Sequence, residues 1–302
     1  MTGALLVLVW LLVGVLARKS GRMPARSPEI ATRIVIDLAL PALTLVTLHS
    51  LTLRSDRWVE LAVAVGTPWI VFGVTWLALS FAGLSREVRA CLLLTAGLAN
   101  TSFVGFPLVE ALWGREGLAR AIWVDQGQFL VLSTLGVLAA SAGRGDKRPS
   151  AAELVRRLLV FPPFIAFVLA LLLRPVTPPA VIPWVLEKLA LLVVPLALFA
   201  VGWQLRFEPR ELAQHARPLL LGLTLRLAVA PLVIYLLVQR AFGSTDLGGD
   251  VVVAEAAMAP MITGALLAME HGLAPRLASA MVGLGVPLSL VTVPLWAWAL
   301  RG

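Results

Sequence analysis

The sequence predicts an all-α polytopic membrane protein: ten transmembrane helices forming a 5+5 inverted repeat, with two proline-broken crossover helices. Three observations predict it. The 302-residue chain is 59% hydrophobic and 14% charged, with a mean hydropathy of +0.91, whereas soluble domains sit nearer about half apolar and a quarter charged. Many apolar runs reach the roughly 20 residues that a helix needs to cross a hydrocarbon core. The runs of the two halves also carry proline and glycine at corresponding places. Lipid supplies no partner for a backbone N–H or C=O, so a spanning segment is a helix or part of a closed barrel. Continuous apolar runs, rather than alternating ones, exclude the barrel.

The elements follow in order. Met1–Leu16 is apolar, with no Lys or Arg ahead of it and Arg18, Lys19, Arg22 and Arg26 behind it. A secretory signal has the opposite polarity, so this stretch reads as a first span with its N-terminus outside. The ten spans are Gly3–Ala17, Ile30–Leu53, Trp58–Phe81, Val88–Trp113, Leu118–Ala140, Leu154–Leu173, Ile182–Leu205, Leu212–Val238, Val251–Met269 and Leu277–Leu300. The one sizeable polar stretch, Ser141–Ser150, has the composition of a flexible linker. It divides the chain into a first repeat (1–140), a cytoplasmic linker (141–153) and a second repeat (154–302).

Loop charge sets orientation. Of 25 Lys and Arg, sixteen fall in the alternate loops that begin with Arg18 to Arg33 and end with Arg276. Eight fall on the other side (Arg54, Arg57, Arg115, Arg120, Arg174, Lys188, Arg240, Arg301), and Arg226 lies inside a span. The bias predicts an inner-membrane protein with both termini on the non-cytoplasmic side. The same distribution accounts for the net charge of +8 by anionic lipid rather than nucleic acid. A single cysteine, Cys91, precludes an internal disulfide and a cysteine-based metal site.

The halves resemble each other. Leu40-Pro41 precedes Arg54 as Val194-Pro195 precedes Arg206, and Ala111–Ala121 parallels Ala268–Ala280. Five spans per half is an odd number, so the second half enters from the opposite side. That is the inverted repeat of many secondary transporters.

The chemistry is expected at the matched spans four and nine. Span four reads Asn100-Thr101-Ser102-Phe103-Val104-Gly105-Phe106-Pro107, and span nine reads Glu255-Ala256-Ala257-Met258-Ala259-Pro260-Met261-Ile262-Thr263-Gly264. Proline deletes a helical hydrogen bond and clashes one turn back; ordinary kinks arise the same way. Matched breaks in corresponding spans point beyond kinks, to a midplane site where half-helix N-termini face an anion. Asn100, Thr101, Ser102, Pro107, Met258, Pro260 and Met261 are the candidate substrate-binding residues. Arg226 and Glu255 are candidate partners, since a lone charge at the membrane centre costs at least about 2.5–3.5 kcal/mol. Asp125 and Gln128, in Asp125-Gln126-Gly127-Gln128, and Asp37 ahead of Pro41 complete the candidate ion-coupling network. The coupling ion is left open between proton and sodium, and the assembly between monomer and homodimer.

Other features carry less. Trp58, Trp113, Trp184, Trp296 and Trp298 lie near span ends and read as interfacial anchors. His49, His215 and His271 have no metal-ligand spacing, and no hydrolase, zincin or phosphate-loop pattern is present. The residues alone leave three classes: an organic-anion carrier, a cation-coupled exchanger, and a membrane-embedded enzyme or sensor for which no catalytic motif speaks.

The element Asn100–Leu108 followed by Gly114-Arg115-Glu116-Gly117 resembles the N-T-x-x-x-G-x-P-L element of the auxin efflux carrier family and the loop after it, in its bacterial branch. Ala197–Gln204, Arg226–Pro231, Ala259-Pro260 through Glu270-His271-Gly272, and Pro287–Pro294 are similar to its helices seven to ten, in the same order. The resemblance implies a fold akin to bile-acid and sodium–proton transporters. One domain would hold helices one, two, six and seven, and a core domain would move past it. It also implies an organic-anion cargo: auxin-like in plants, malate- or malonate-like among bacterial members. Asn100 and Pro107 map onto the first crossover and Pro260 onto the second. Met261 stands where plant-type members often carry an amide, and span three lacks their Asp and Lys.

Overall fold

A computed structural model describes residues 2–50, 58–205, 215–242 and 246–301. Arg54, Arg57, Arg206 and Arg210, used above for orientation, lie outside them. Helices account for nearly all of it: α1 Thr2–Ser20, α2 27–50, α3 Trp58–Ser80, α4 Arg86–Thr95, α5 Phe106–Val131, α6 Val137–Arg144, α7 Ala151–Leu159 and α8 Pro162–Leu172. They continue with α9 Val181–Ala190, α10 Val193–Gln204, α11 216–242, α12 Leu247–Ala256, α13 Ile262–Glu270 and α14 Pro275–Arg301. Among the described residues six helices are long and apolar enough to cross a membrane, or seven if α7 and α8, bent by 68°, form one span. No strand occurs among these residues beyond one isolated bridge, Ala99 opposite Pro260.

Four π turns, Val35–Ala39, Thr101–Gly105, Leu132–Gly136 and Leu225–Val229, interrupt or start helices. Wide turns of this kind collect at functional sites, and two of these hold Thr101 and Arg226. α5 contains the one sharp reversal that its helical hydrogen bonding hides. Gly114 has φ 66° and ψ −163°, a conformation open to glycine and strained for any side chain. A straight helix would hold residues 24 apart at about 36 Å, yet Asp125 hydrogen-bonds Thr101. The chain therefore doubles back at Gly114. Of the expected linker 141–153, residues 141–144 finish α6 and 151–153 begin α7, whose Ser150–Glu153 capping box fixes its start.

The two sequence halves interleave. α1 packs along α10, and α2 packs on α8 and α9. A second group joins α3, α5, α11 and α12, with α4 packed on α6, α13 and α14. Glycine permits the closest approach in the first group. A Cβ at Gly202 would lie 2.1 Å from Leu11 O, and one at Gly14 would lie 2.2 Å from Phe199 O. Arg18 then caps α10, donating to Leu205 O at 2.6 Å and Trp203 O at 3.2 Å. Gly202→Val is expected to force α1 off α10 and cost about 1–3 kcal/mol, the usual range for overpacking. Gly66→Val, where nothing lies within 4 Å, should leave the melting temperature in detergent nearly unchanged.

Candidate functional site

Two broken segments meet at the centre. α4 stops at Thr95 and the chain resumes helical winding at Thr101; α12 stops at Ala256 and α13 begins at Ile262. Between the breaks Asn100 N donates to Ala259 O (2.8 Å) and Met261 N donates to Leu98 O (3.1 Å), with Ala99 opposite Pro260. Each break thus satisfies the other's backbone groups, which lipid could not do. Pro260 is well placed here, because a residue without an N–H removes one donor from a segment short of acceptors. Small residues allow the crossing: a Cβ at Gly285 would lie 2.3 Å from Pro260 Cδ, and one at Gly264 would lie 2.1 Å from Leu94 O.

The first break corrects the expectation placed on Pro107. The chain leaves the helix at 96–100, ahead of Pro107, which occupies the first turn of α5. Proline is accommodated there by the π turn just before it, in which Gly105 N donates to Asn100 O and Phe106 N to Thr101 O, five residues back rather than four. The π turn Thr101–Gly105 shifts the hydrogen-bond register before the proline is reached, with Phe106 N donating to Thr101 O.

Arg226 joins the two breaks. It is 1% exposed, and its Nη1 donates to Ala96 O at 3.1 Å while its Nη2 donates to Ala256 O. These carbonyls terminate α4 and α12, one from each half. Cations favour helix C-termini, and the planar fork of Arg suits two acceptors. The expected pairing with Glu255 takes another form: Glu255 is 0% exposed, and neither carboxylate oxygen has a hydrogen-bond partner among the described residues. That carboxylate lies against Gly105 instead, where a Cβ would meet its Oε2 at 2.6 Å.

The same π turn faces a second acid. Asp125 Oδ1 accepts from Thr101 Oγ1 and, at 2.9 Å, from Ser102 Oγ. The turn 101–105 therefore carries Asp125 on its hydroxyl-bearing start and Glu255 at its glycine end. Asn100 caps the turn, its Oδ1 accepting from Phe103 N at 3.2 Å, while its buried Nδ2 has no partner among the described residues. The same holds for Gln128 Nε2.

Two cavities reach this centre on either side of α13. One, of about 330 Å³, is lined by Ser102, Asp125, Met261 and Thr263, with Arg157 and Glu270 toward its mouth. Phe129 and Phe161 line it as a stacked pair with ring centroids 3.7 Å apart. The other, of about 490 Å³, lies between α2, α10 and α13, with Arg33, Gln204 and Ile262 in its walls. Leu266 belongs to both.

The structure therefore sorts the sequence candidates. Ser102, Asp125 and Met261 face a cavity; Thr101 and Asn100 support the turn behind it; Met258 is fully buried. Arg226 and Gln128 are buried and line neither cavity, and Asp37 is exposed and lines neither. Arg120, counted above as a loop charge, is 7% exposed and pairs with Glu60 (2.6 Å) and Glu116 (3.0 Å). Thr263 and Gly105 were visible in the two span motifs, but only packing gives them a place.

Crossed, broken helices inside a multi-helix membrane protein are the arrangement found at the centre of many secondary transporters. The chain matches the family described as membrane transport protein over residues 1–297, and it belongs to that family, the auxin efflux carriers. It is similar to an uncharacterized transporter of Methanothermobacter thermautotrophicus, 29% identical over 298 residues covering 96% of this chain and 95% of the relative. An uncharacterized transporter of Methanocaldococcus jannaschii is 25% identical over 306 residues, covering 98% and 97%.

Proposed function

We propose that the protein is a secondary carrier of a small organic anion, a mono- or dicarboxylate of the malate or malonate type, working by alternating access across a ten-span inverted repeat. The observation that carries this reading is the crossover itself. Arg226 neutralises the C-terminal carbonyls of α4 and α12, which leaves the N-terminal ends at Thr101 and Ile262 beside cavities. Helix N-termini and hydroxyls are suited to a carboxylate. Thr263 and the backbone around Met261 would hold it, joined by Ser102 once protonation of Asp125 frees the hydroxyl hydrogen that Ser102 gives it, with Asn100 and Thr101 shaping the turn.

The packing supports the repeat. α1 on α10 is matched by α8 on α2, and each crossover has a glycine contact: Gly264 on α4 and Gly105 on α12. By the loop-charge orientation both cavities open inward, with Arg33 and Arg157 in their walls, and both termini lie outside the inner membrane. α1, α2 and α8–α10 would form the static group.

Purified protein should gain thermal stability with the carboxylate it carries, because a ligand of the folded state raises the melting temperature. In proteoliposomes, Ser102→Ala combined with Thr263→Ala should cut uptake of that carboxylate about tenfold or more. Two lost hydrogen bonds of about 1 kcal/mol each give that order. Flux equal to the parent's would overturn the assignment.

One observation favours cation coupling within the same mechanism. Two acids, Asp125 and Glu255, flank one buried turn, and Glu255 has no donor of its own among the described residues. A proton or a sodium ion would balance that charge, since an uncompensated buried charge is costly. Glu255→Gln and Asp125→Asn should each abolish any dependence of uptake on a pH or sodium gradient. Gradient dependence that survives both substitutions would exclude these residues as the ion carriers.

A further inference from the structure

A third cavity, of about 740 Å³, lies away from the crossover, between α3, α4 and α6. Its walls divide by chemistry. Phe72, Trp76, Leu93, Leu135 and Leu138 make an apolar trough, and Arg86, Arg89 and Arg148 stand around it. Arg86 and Arg89, three apart on α4, share a helix face, and Arg148 comes from the segment between α6 and α7.

None of the three guanidinium groups has a hydrogen-bond or ion-pair partner among the described residues; the nearby acid Asp146 pairs with Arg144 instead, at 3.6 Å. Trp76 is 54% exposed, and the Cα of Gly73 faces open space. Three cations that no described residue neutralises therefore border an apolar groove in a membrane protein.

We infer that this groove binds an anionic phospholipid, the headgroup phosphate held by Arg86, Arg89 and Arg148 and an acyl chain laid along Phe72, Trp76 and Leu135. Guanidinium groups take phosphate oxygens in pairs, and basic pockets between membrane helices are suited to lipid headgroups. The apolar trough selects a lipid over a free phosphate, which would leave that wall uncovered. The site is independent of the carried substrate and needs only the membrane location. Its effect would fall on α4, a ten-residue helix that ends at the crossover, by fixing its N-terminal end against α3 and α6.

The test is the melting temperature of the purified full chain in zwitterionic micelles doped with phosphatidylglycerol, with phosphatidylcholine, or supplemented with inorganic phosphate. Phosphatidylglycerol should raise the melting temperature by several degrees, and the other two additions should not. The triple variant Arg86→Gln, Arg89→Gln, Arg148→Gln should lose more than half of that rise. Gly73→Leu, which fills the trough without touching a charge, should lose a comparable part, and it supplies the test should the triple variant fold poorly. Equal shifts with the two lipids, a full shift with phosphate alone, or a full shift in Gly73→Leu would each overturn the proposal.

Discussion

Arg226→Met is expected to abolish transport and to lower the melting temperature substantially. The residue is 1% exposed and supplies donors to the last carbonyls of α4 and α12. Its loss leaves two buried carbonyls without partners at about 1–3 kcal/mol each, so a destabilisation of about 3 kcal/mol is expected. Arg226→Lys should fall between the two, since one ammonium lacks the fork that spans both acceptors. A double variant separates this role from a simple charge pair. If Arg226 served mainly to balance Glu255, Arg226→Met with Glu255→Gln would recover near-parental stability. Because the guanidinium bonds carbonyls and Glu255 bonds none of its three nitrogens, the double variant should remain as unstable as Arg226→Met. Melting curves and carboxylate uptake of the four proteins decide between the two.

The long helices were legible because apolar length is a direct signal of a span. The predicted Trp58–Phe81 is α3, Trp58–Ser80, and the predicted end at Leu300 lies one residue inside the end of α14. The two breaks were legible as a motif, and span nine was read correctly around Pro260. Span four was misread by one detail with a physical cause. A proline is the visible helix breaker in a sequence, but after the π turn Thr101–Gly105 it is accommodated, and the break lies upstream in Ala96–Asn100, where no proline marks it.

The direction in which side chains face was not legible. Depth in the membrane follows from position within an apolar run; rotation about the helix axis depends on which neighbours pack there. Asp37 and Asp125 look alike in sequence, each a lone acid inside a span. Packing turns Asp125 onto Thr101 and Ser102 and leaves Asp37 exposed. Arg120 follows the Gly114 turn closely and so counts with the loops in sequence, yet α3 brings a half-buried Glu60 to it and the arginine itself is buried. Thr263 carried no signal of its own. It gains a cavity position because α13 begins at Ile262, which fixes the rotation of the next turn.

Gly264→Val is expected to uncouple the crossover without removing any polar group from it. A Cβ at this position would lie 2.1 Å from Leu94 O, and the carbonyl cannot swing aside as a side chain would. Leu94 lies in the last turn of α4, two residues before the carbonyl held by Arg226. Retreat of α13 from α4 would therefore strain both the Met261–Leu98 bond and the Asn100–Ala259 bond. Overpacking against side chains costs about 1–3 kcal/mol; contact with backbone places this variant at the upper end, near 3 kcal/mol by the same measure. Gly264→Ala should be milder but clearly below the parent, and Gly83→Ala, an exposed turn position with φ 65°, supplies the contrast of strain without packing. Hydrogen exchange reads the difference. In Gly264→Val the amides of Asn100 and Met261 should exchange faster while those of α1 and α10 keep their protection, because the α1–α10 contact does not pass through α13. Unchanged protection at Asn100 and Met261 would mean that the crossover is held by something other than this close approach of two helices.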